Sequence, residues 1–385
     1  MLTYFKELIC SKCGRKIDYD KIVYLCPHCG GVLETKFDYD EEFVEGLRKG
    51  RFMPADVLPI HRESYINIGQ TGTPIVDAEK LSERYGMDIK LKSEFMNPTG
   101  SFKDLSLASG LSWAVEHGYK RAVIASSGNG AAAAAAIGAK AGIEILVYVP
   151  ENAAAEKVKH AMLCGAKVVR IPGPYSNSDE AAIKDGYEEG ICNMATTFFN
   201  PFTIDGYKIM AYEIFIGMGC PDAVMIPVGT GPVLVGILKG FEEIKSMGLI
   251  EEVPKMVCVQ ASGCSPIVKA YENGGTSVVA EPSPSTIAGA ICDGMSGHEE
   301  FGDITLQAVY RSNGLCVSVT DEEITDAQNE LANTEGIFVE PASAASIAAI
   351  KKVGKQVVGS GGKIVSILTG HGLKDMNNVI IRGEK

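Results

Sequence analysis

The sequence predicts an α/β protein built on parallel sheets, preceded by a small cysteine-bearing module. Two observations carry this prediction. Beyond residue 60 short apolar runs alternate with helical stretches. Near the N-terminus two Cys-x2-Cys units lie close together.

The apolar runs are AVIAS (122–126), EILVYVP (144–150), KVVRI (167–171), AVMIPVG (223–229), KMVCVQA (255–261) and KIVSILT (363–369). Helical stretches fall at 131–141, 152–164, 206–217 and 341–353. Strands that are apolar throughout are covered on both faces, which is the mark of a parallel sheet between helices. Such sheets place ligands outside the carboxyl ends of their strands. Several glycine-rich turns fall at those ends. The 385 residues suit two lobes and an appendage, at roughly 100–200 residues per domain.

The appendage holds Cys10-Ser-Lys-Cys13-Gly14 and Cys26-Pro-His-Cys29-Gly30. Paired Cys-x2-Cys units suit tetrahedral thiolate coordination, so a structural zinc ribbon is expected over residues 1–36. Each unit ends in glycine, which permits the tight turn that aims amides at sulfur. All four ligand positions are filled, leaving no open position for catalysis. Six basic and four acidic residues within 1–36 are too mild a balance to indicate nucleic-acid binding. Residues 37–60 read as a charged connector.

A net charge of -12 and a pI near 5.1 disfavour a nucleic-acid partner. No apolar run reaches the roughly 18 residues of a membrane span. The first residues lack the apolar core of a signal peptide. The eleven cysteines therefore read as reduced thiols or metal ligands, and a cytoplasmic protein is expected.

Four motifs sit where chemistry is expected. In Asn97-Pro98-Thr99-Gly100-Ser101-Phe102-Lys103-Asp104, Pro98 and Gly100 force a turn and Ser101 is placed to cap a helix. Lys103 would then stand in a first helical turn, where the positive end of the dipole favours the neutral amine. Ser126-Ser127-Gly128-Asn129-Gly130 follows a strand and opens an alanine-rich helix, a position suited to an anion. Val228-Gly229-Thr230-Gly231-Pro232 follows another strand and could cradle a phosphate. Thr369-Gly370-His371-Gly372-Leu373-Lys374-Asp375 follows a third. His371 could act as a base, although a loop histidine between glycines is more often structural.

Together these motifs resemble the threonine synthase family. The likeness extends to the cysteine units, to Gly69-Gln70-Thr71-Gly72-Thr73-Pro74 and to Glu340-Pro341-Ala342-Ser343-Ala344, so it spans nearly the whole chain. It implies a two-lobed fold-type II enzyme, similar to the tryptophan synthase β chain, that uses pyridoxal 5'-phosphate. Lys103 matches the Schiff-base lysine and proton shuttle. Asn129 matches the residue that bonds the cofactor's phenolic oxygen. Gly229, Thr230 and Gly231 match the start of its phosphate loop, and Thr369 the hydroxyl facing its pyridine nitrogen. A neutral hydroxyl there tempers the electron sink and favours elimination and replacement over transamination. The implied domains are residues 37–99 with 216–385, carrying the cofactor, and residues 100–215. A homodimer and a small amino-acid substrate complete the expectation.

The sequence also departs from that family. Where it has Asn-Ser-x-Asn-Pro-Tyr-Arg before Glu-Gly-Gln-Lys, this chain has Thr197-Phe198-Phe199-Asn200-Pro201-Phe202-Thr203 and then Asp205-Gly206-Tyr207-Lys208. The serine is Phe198, the arginine is Thr203, and the hydroxyl residue expected after Asn129 is Gly130. Three groups that would grip the phosphate of O-phosphohomoserine are absent, with Lys208 a candidate replacement. Pro232, where the family has glycine, has no N–H to donate. The readings open at this point are threonine synthase proper, a dehydratase or ammonia-lyase acting on threonine, serine or diaminopropionate, and a non-catalytic paralogue that binds a partner through its ribbon.

Overall fold

The computed structural model describes residues 4–382, Pro174 and Glu189 excepted. The first and last three residues of the expected domain ranges therefore lie outside it. In chain order the strands are β1 (Phe5–Cys10), β2 (Lys16–Ile17), β3 (Leu33–Phe37), β4 (Ile75–Asp77), β5 (Asp88–Lys92), β6 (Arg121–Ala125), β7 (Glu144–Pro150), β8 (Lys167–Ile171), β9 (Ile191–Asn193), β10 (Ala223–Pro227), β11 (Lys255–Ala261), β12 (Leu315–Val319) and β13 (Lys363–Ile367). All six apolar runs read from the sequence are strands, the two ending at Gly229 and Thr369 stopping two residues early. The expected helices appear as Asn129–Ala141, Ala155–Leu163, Lys208–Met218 and Pro341–Val358.

The chain packs as two compact units. The first contains Met1–Thr71, Asn97–Thr99 and Lys103–Ile209; the second contains Gly72–Met96, Gly100–Phe102 and Met210–Lys385. Residues 37–71, assigned from sequence to the cofactor-bearing domain, lie in the first unit. Local contacts explain this. The His61 amide donates to Glu116 Oε2 at 2.9 Å, and the Ile66 amide donates to Ser112 Oγ at 2.9 Å. Both partners belong to the helix Lys103–Glu116.

The first unit holds a parallel sheet ordered β8-β7-β6-β9 and an antiparallel sheet ordered β2-β1-β3. The helix Lys103–Glu116 is buried without interruption from Asp104 to Ala114, and glycine lets its neighbours come close. A Cβ on Gly110 would stand 2.6 Å from the Thr203 methyl, and a Cβ on Gly206 2.2 Å from the Leu105 carbonyl oxygen. The antiparallel sheet is seated on the same unit. The Tyr24 hydroxyl donates to Gly186 O at 3.0 Å and accepts from the Asn193 amide at 2.7 Å. Thr35 of β3 donates to the buried carboxylate of Asp205. Asp205 also faces Lys208 Nζ at 3.5 Å, and that ammonium lies 3.4 Å from the centre of the Phe37 ring.

The second unit holds a sheet ordered β12-β11-β10-β13-β5-β4, parallel except for β4 against β5. The helix Pro341–Val358 crosses it with a run of alanine and serine buried from Pro341 to Ile350. Small side chains allow close approach, and Ser346 and Ser366 share a 2.7 Å hydrogen bond across that contact.

Lys92, wholly buried, is enclosed by Glu94 Oε1 at 3.0 Å, Glu213 Oε2 at 2.6 Å and the Thr73 carbonyl at 2.8 Å. Glu213 Oε1 accepts the Gly72 amide at 2.6 Å. One ammonium cannot neutralise two carboxylates. Burial pushes the Glu213 carboxyl above its ordinary 4.5, with Lys92 offsetting part of the shift and Glu94 adding to it. A raised folded value means that the folded chain binds this proton more tightly than the unfolded chain does. Its contribution to stability is therefore present at low pH and is lost as pH rises from 4.5 towards the raised value. Glu213→Gln removes the surplus charge and keeps one acceptor oxygen, so that only one of the Lys92 and Gly72 contacts survives. Melting temperature against pH should be flatter in the variant over that window; an unchanged slope would place the dependence elsewhere.

Candidate active site

Both parallel sheets reverse direction of build at the strand that feeds a glycine turn. In the first unit β7 and β9 flank β6, and Ser126–Gly130 follow β6. In the second unit β11 and β13 flank β10, and Val228–Gly231 follow β10. Thr369 follows β13, the parallel neighbour of β10. The second unit thus brings Gly229, Thr230, Gly231 and Thr369 to the carboxyl ends of adjacent strands at a switch point, where open α/β sheets bind ligands.

The loop after β10 has the form of an anion cradle. Its carbonyls are tied back: Gln260 Nε2 donates to Gly229 O at 3.2 Å, and Thr305 Oγ1 donates to Thr230 O at 2.7 Å. Among the described residues the amides of Gly229, Thr230 and Gly231 donate to no protein group. Gly231 has φ +102°, and a Cβ there would meet Thr305 Oγ1 at 2.1 Å. Three amides ahead of the fifteen-residue helix Pro232–Ser246 suit the phosphate of the expected cofactor, with Pro232 adding no donor. Thr369 is buried, and its carbonyl accepts the Phe102 amide at 3.0 Å.

In the first unit Lys103 opens its helix as the sequence indicates. Ser101 does not cap it: its buried hydroxyl has no partner among the described residues. The turn is closed instead by Asp104, whose carboxylate accepts the Thr99 amide at 2.8 Å and the Thr99 hydroxyl. The Lys103 amine is held by neutral groups, Thr196 Oγ1 at 2.8 Å and the Tyr207 hydroxyl at 3.4 Å. Hydroxyls bond an amine in either protonation state. An amine so held suits covalent attachment of a carbonyl cofactor. Burial pushes the Tyr207 phenol far above its ordinary range, with the nearby Ser106 and Thr196 hydroxyls offsetting part of the shift. Asn129 begins the helix Asn129–Ala141, which packs against the Lys103 helix.

The chain matches the pyridoxal-phosphate dependent enzyme family over residues 66–370. It is 39% identical to a threonine synthase of Methanocaldococcus jannaschii, over 98% of this chain and 95% of that one. It is 38% identical to a threonine synthase of Methanosarcina acetivorans, over 97% and 93%. The chain belongs to the threonine synthase family of pyridoxal-phosphate dependent enzymes. It is a fold-type II enzyme. Solved structures share the fold at lower identity. A maize serine racemase superposes with a TM-score of 0.69 at 20% identity, covering 85% of this chain and 94% of that one. The processed form of threonine deaminase isoform 2 from Solanum lycopersicum does so with 0.66 at 19%, covering 86% and 85%.

The positions read from the sequence as departures from the family pattern lie in the interior. Phe198 and Thr203 are buried, and Thr203 Oγ1 is committed to the carbonyls of Asn200 at 2.8 Å and Ala195 at 3.2 Å. Lys208, the candidate replacement for the phosphate groups, is fully buried beside Asp205 and Phe37. A Cβ on Gly130 would stand 3.1 Å from Ser126 Oγ, so a side chain there crowds the preceding turn. His371 has a capping contact. Its Nδ1 accepts the Leu373 amide at 3.1 Å and caps the short 3-10 helix Gly372–Lys374.

The four cysteines converge at the turns between the strands of the antiparallel sheet. Their sulfurs lie within 4.8 Å of one another, with Cys10 to Cys29 at 3.5 Å and Cys13 to Cys26 at 3.8 Å. A tetrahedral zinc with bonds of about 2.3 Å separates its sulfurs by about 3.8 Å, so the donor set fits that ion. A Cβ on Gly31 would come within 2.9 Å of Cys10 Sγ. Thr99 and Asp104, which close the turn before Lys103, stand in a motif visible in the sequence, and Tyr207 stands in the segment matched to the family's Glu-Gly-Gln-Lys. Thr196, Gln260 and Thr305 carry no such signal.

Proposed function

We propose that this member of the family eliminates a small leaving group from an amino acid such as serine, threonine or 2,3-diaminopropionate, as dehydratases and ammonia-lyases do. The observation that carries this reading is the burial of Phe198, Thr203 and Lys208, which stand where groups for a substrate phosphate are expected. A phosphate dianion without charged or hydrogen-bonding partners is penalised by several kcal/mol. One lost charge-assisted hydrogen bond costs roughly 1.5–3 kcal/mol, so a site lacking three of them loses orders of magnitude in specificity.

When bound, pyridoxal phosphate supplies an electron sink for charge developing at the substrate's α carbon. Lys103 is its covalent anchor in this proposal, and the amine, once released, takes the α proton. The amides of Gly229, Thr230 and Gly231 would hold the cofactor phosphate, and by the family resemblance Asn129 would bond its phenolic oxygen and Thr369 would supply a hydroxyl to its ring nitrogen. The four cysteines form a zinc ribbon with a structural role.

A second reading, formation of threonine from O-phosphohomoserine, is favoured by the names of the relatives at 38–39% identity. A product screen separates the two. Serine, threonine or diaminopropionate should yield a 2-oxo acid and ammonia. A kcat/KM of about 10⁴ M⁻¹s⁻¹ or more for threonine formation from O-phosphohomoserine would overturn the first reading. Thr203→Arg is expected not to restore a phosphate site. It drives a guanidinium against Gly110 in a packed interior, costing about 3 kcal/mol or more, and lowers the melting temperature without improving use of phosphorylated substrates.

A further inference from the structure

We infer that Tyr207, with Thr196, is a positioning residue for the Lys103 amine, pinning the end of a flexible side chain where proton transfer takes place. The inference rests on Lys103 being the cofactor lysine and goes beyond it, since the family resemblance points to glutamine, not tyrosine, in this segment.

Four observations support it. The Tyr207 side chain is completely buried, yet its hydroxyl lies 3.4 Å from Lys103 Nζ. A buried phenol needs a polar partner, and this one has the amine as a neighbour. Thr196 Oγ1 takes the same amine at 2.8 Å, so two hydroxyls converge on one nitrogen. Tyr207 ends a 3-10 turn, Asp205–Tyr207, that reaches the lysine's helix only because residue 206 is glycine; a Cβ there would stand 2.2 Å from Leu105 O. That turn is fixed from behind, because Asp205 is bonded by Thr35 and faces Lys208 at 3.5 Å. The placement of the phenol is therefore built into the packing of the unit.

A lysine amine on four methylenes carries about 2 kcal/mol of rotamer entropy. Restraining it at two points keeps the nitrogen within reach of a reacting atom, and a displacement of about 1 Å can cost about a hundredfold in rate. The groups act on position. They do not consume or supply a proton, and loss of one hydroxyl leaves Lys103 able to carry the cofactor.

The test uses Tyr207→Phe and Thr196→Val, each nearly isosteric. Two readouts besides turnover are followed: the rate at which the cofactor-free protein captures pyridoxal phosphate, read from visible absorbance, and exchange of the α proton of bound amino acid in D2O, read by NMR. Both variants should reach the wild-type final absorbance. Capture and exchange should slow by about ten- to a hundredfold, with KM changed less than kcat. Wild-type rates of capture and exchange in both variants would overturn the inference. Should Tyr207→Phe not fold, Thr196→Val alone decides, because its hydroxyl is the shorter contact. Lys103→Ala is the control: if it keeps the absorbance, the assignment of the lysine fails and the inference with it. If only the two hydroxyl variants behave as wild type, the lysine assignment stands and the inference alone is lost.

Discussion

Lys103→Ala is expected to give a folded protein with no visible absorption band and no measurable turnover. The residue opens the helix Lys103–Glu116, and the turn before it is closed by Asp104 through Thr99. Truncation at Cβ therefore removes the nucleophile and spares the scaffold. General-base action alone is worth about 10²–10⁴-fold, and covalent anchoring of the cofactor is lost as well. Turnover should fall below detection and the melting curve should stay cooperative. Absorbance and thermal melting on the same sample check this. A variant that is still yellow and active would remove Lys103 from the chemistry.

The second large effect is expected at the cysteines. Cys26→Ser should release zinc from a module whose four cysteines are expected to bind about one ion per chain. Structural zinc supplies on the order of 10 kcal/mol to a small module, more than the three short strands of that sheet can replace. Residues 4–37 should become sensitive to protease while the visible band remains, since Lys103 and its helix Lys103–Glu116 lie outside the module. Metal analysis and limited proteolysis read both. Wild-type protein prepared without chelators and found to contain no zinc would sink the assignment.

Much of the fold was legible in the sequence because its physical cause is local. Seven-residue runs with an apolar, β-branched interior, such as β7 and β11, read as covered strands. The short strands β4 and β9, of three residues each, carry no such signal and exist through pairing with longer partners. β5, Asp88–Lys92, alternates charge with apolar residues and buries Lys92. A strand holding two lysines reads as exposed until Glu94 and Glu213 are known to meet one of them. The site divided in the same way. Lys103, Asn129 and the glycine turn were found because motif and helix start coincide. Tyr207 and Thr196 lie 104 and 93 residues from Lys103, a distance no local pattern spans. The amides of His61 and Ile66 reach back to the Lys103 helix across 55 and 46 residues, contacts that the sequence assignment of 37–71 to the other lobe could not take into account.

The pairing of Thr35 and Phe37 with Asp205 and Lys208 has a consequence for how this chain can change over evolutionary time. The antiparallel sheet is one wall of a closed compartment around two opposite charges. A descendant that shed the ribbon would present that aspartate and lysine to solvent and leave the turn before Tyr207 without backing. Loss of the module is therefore expected only together with substitutions at 205 and 208. Homologues without cysteine knuckles should carry a different pair at those positions, and a graft of the ribbon onto such a protein should fail unless both charges travel with it.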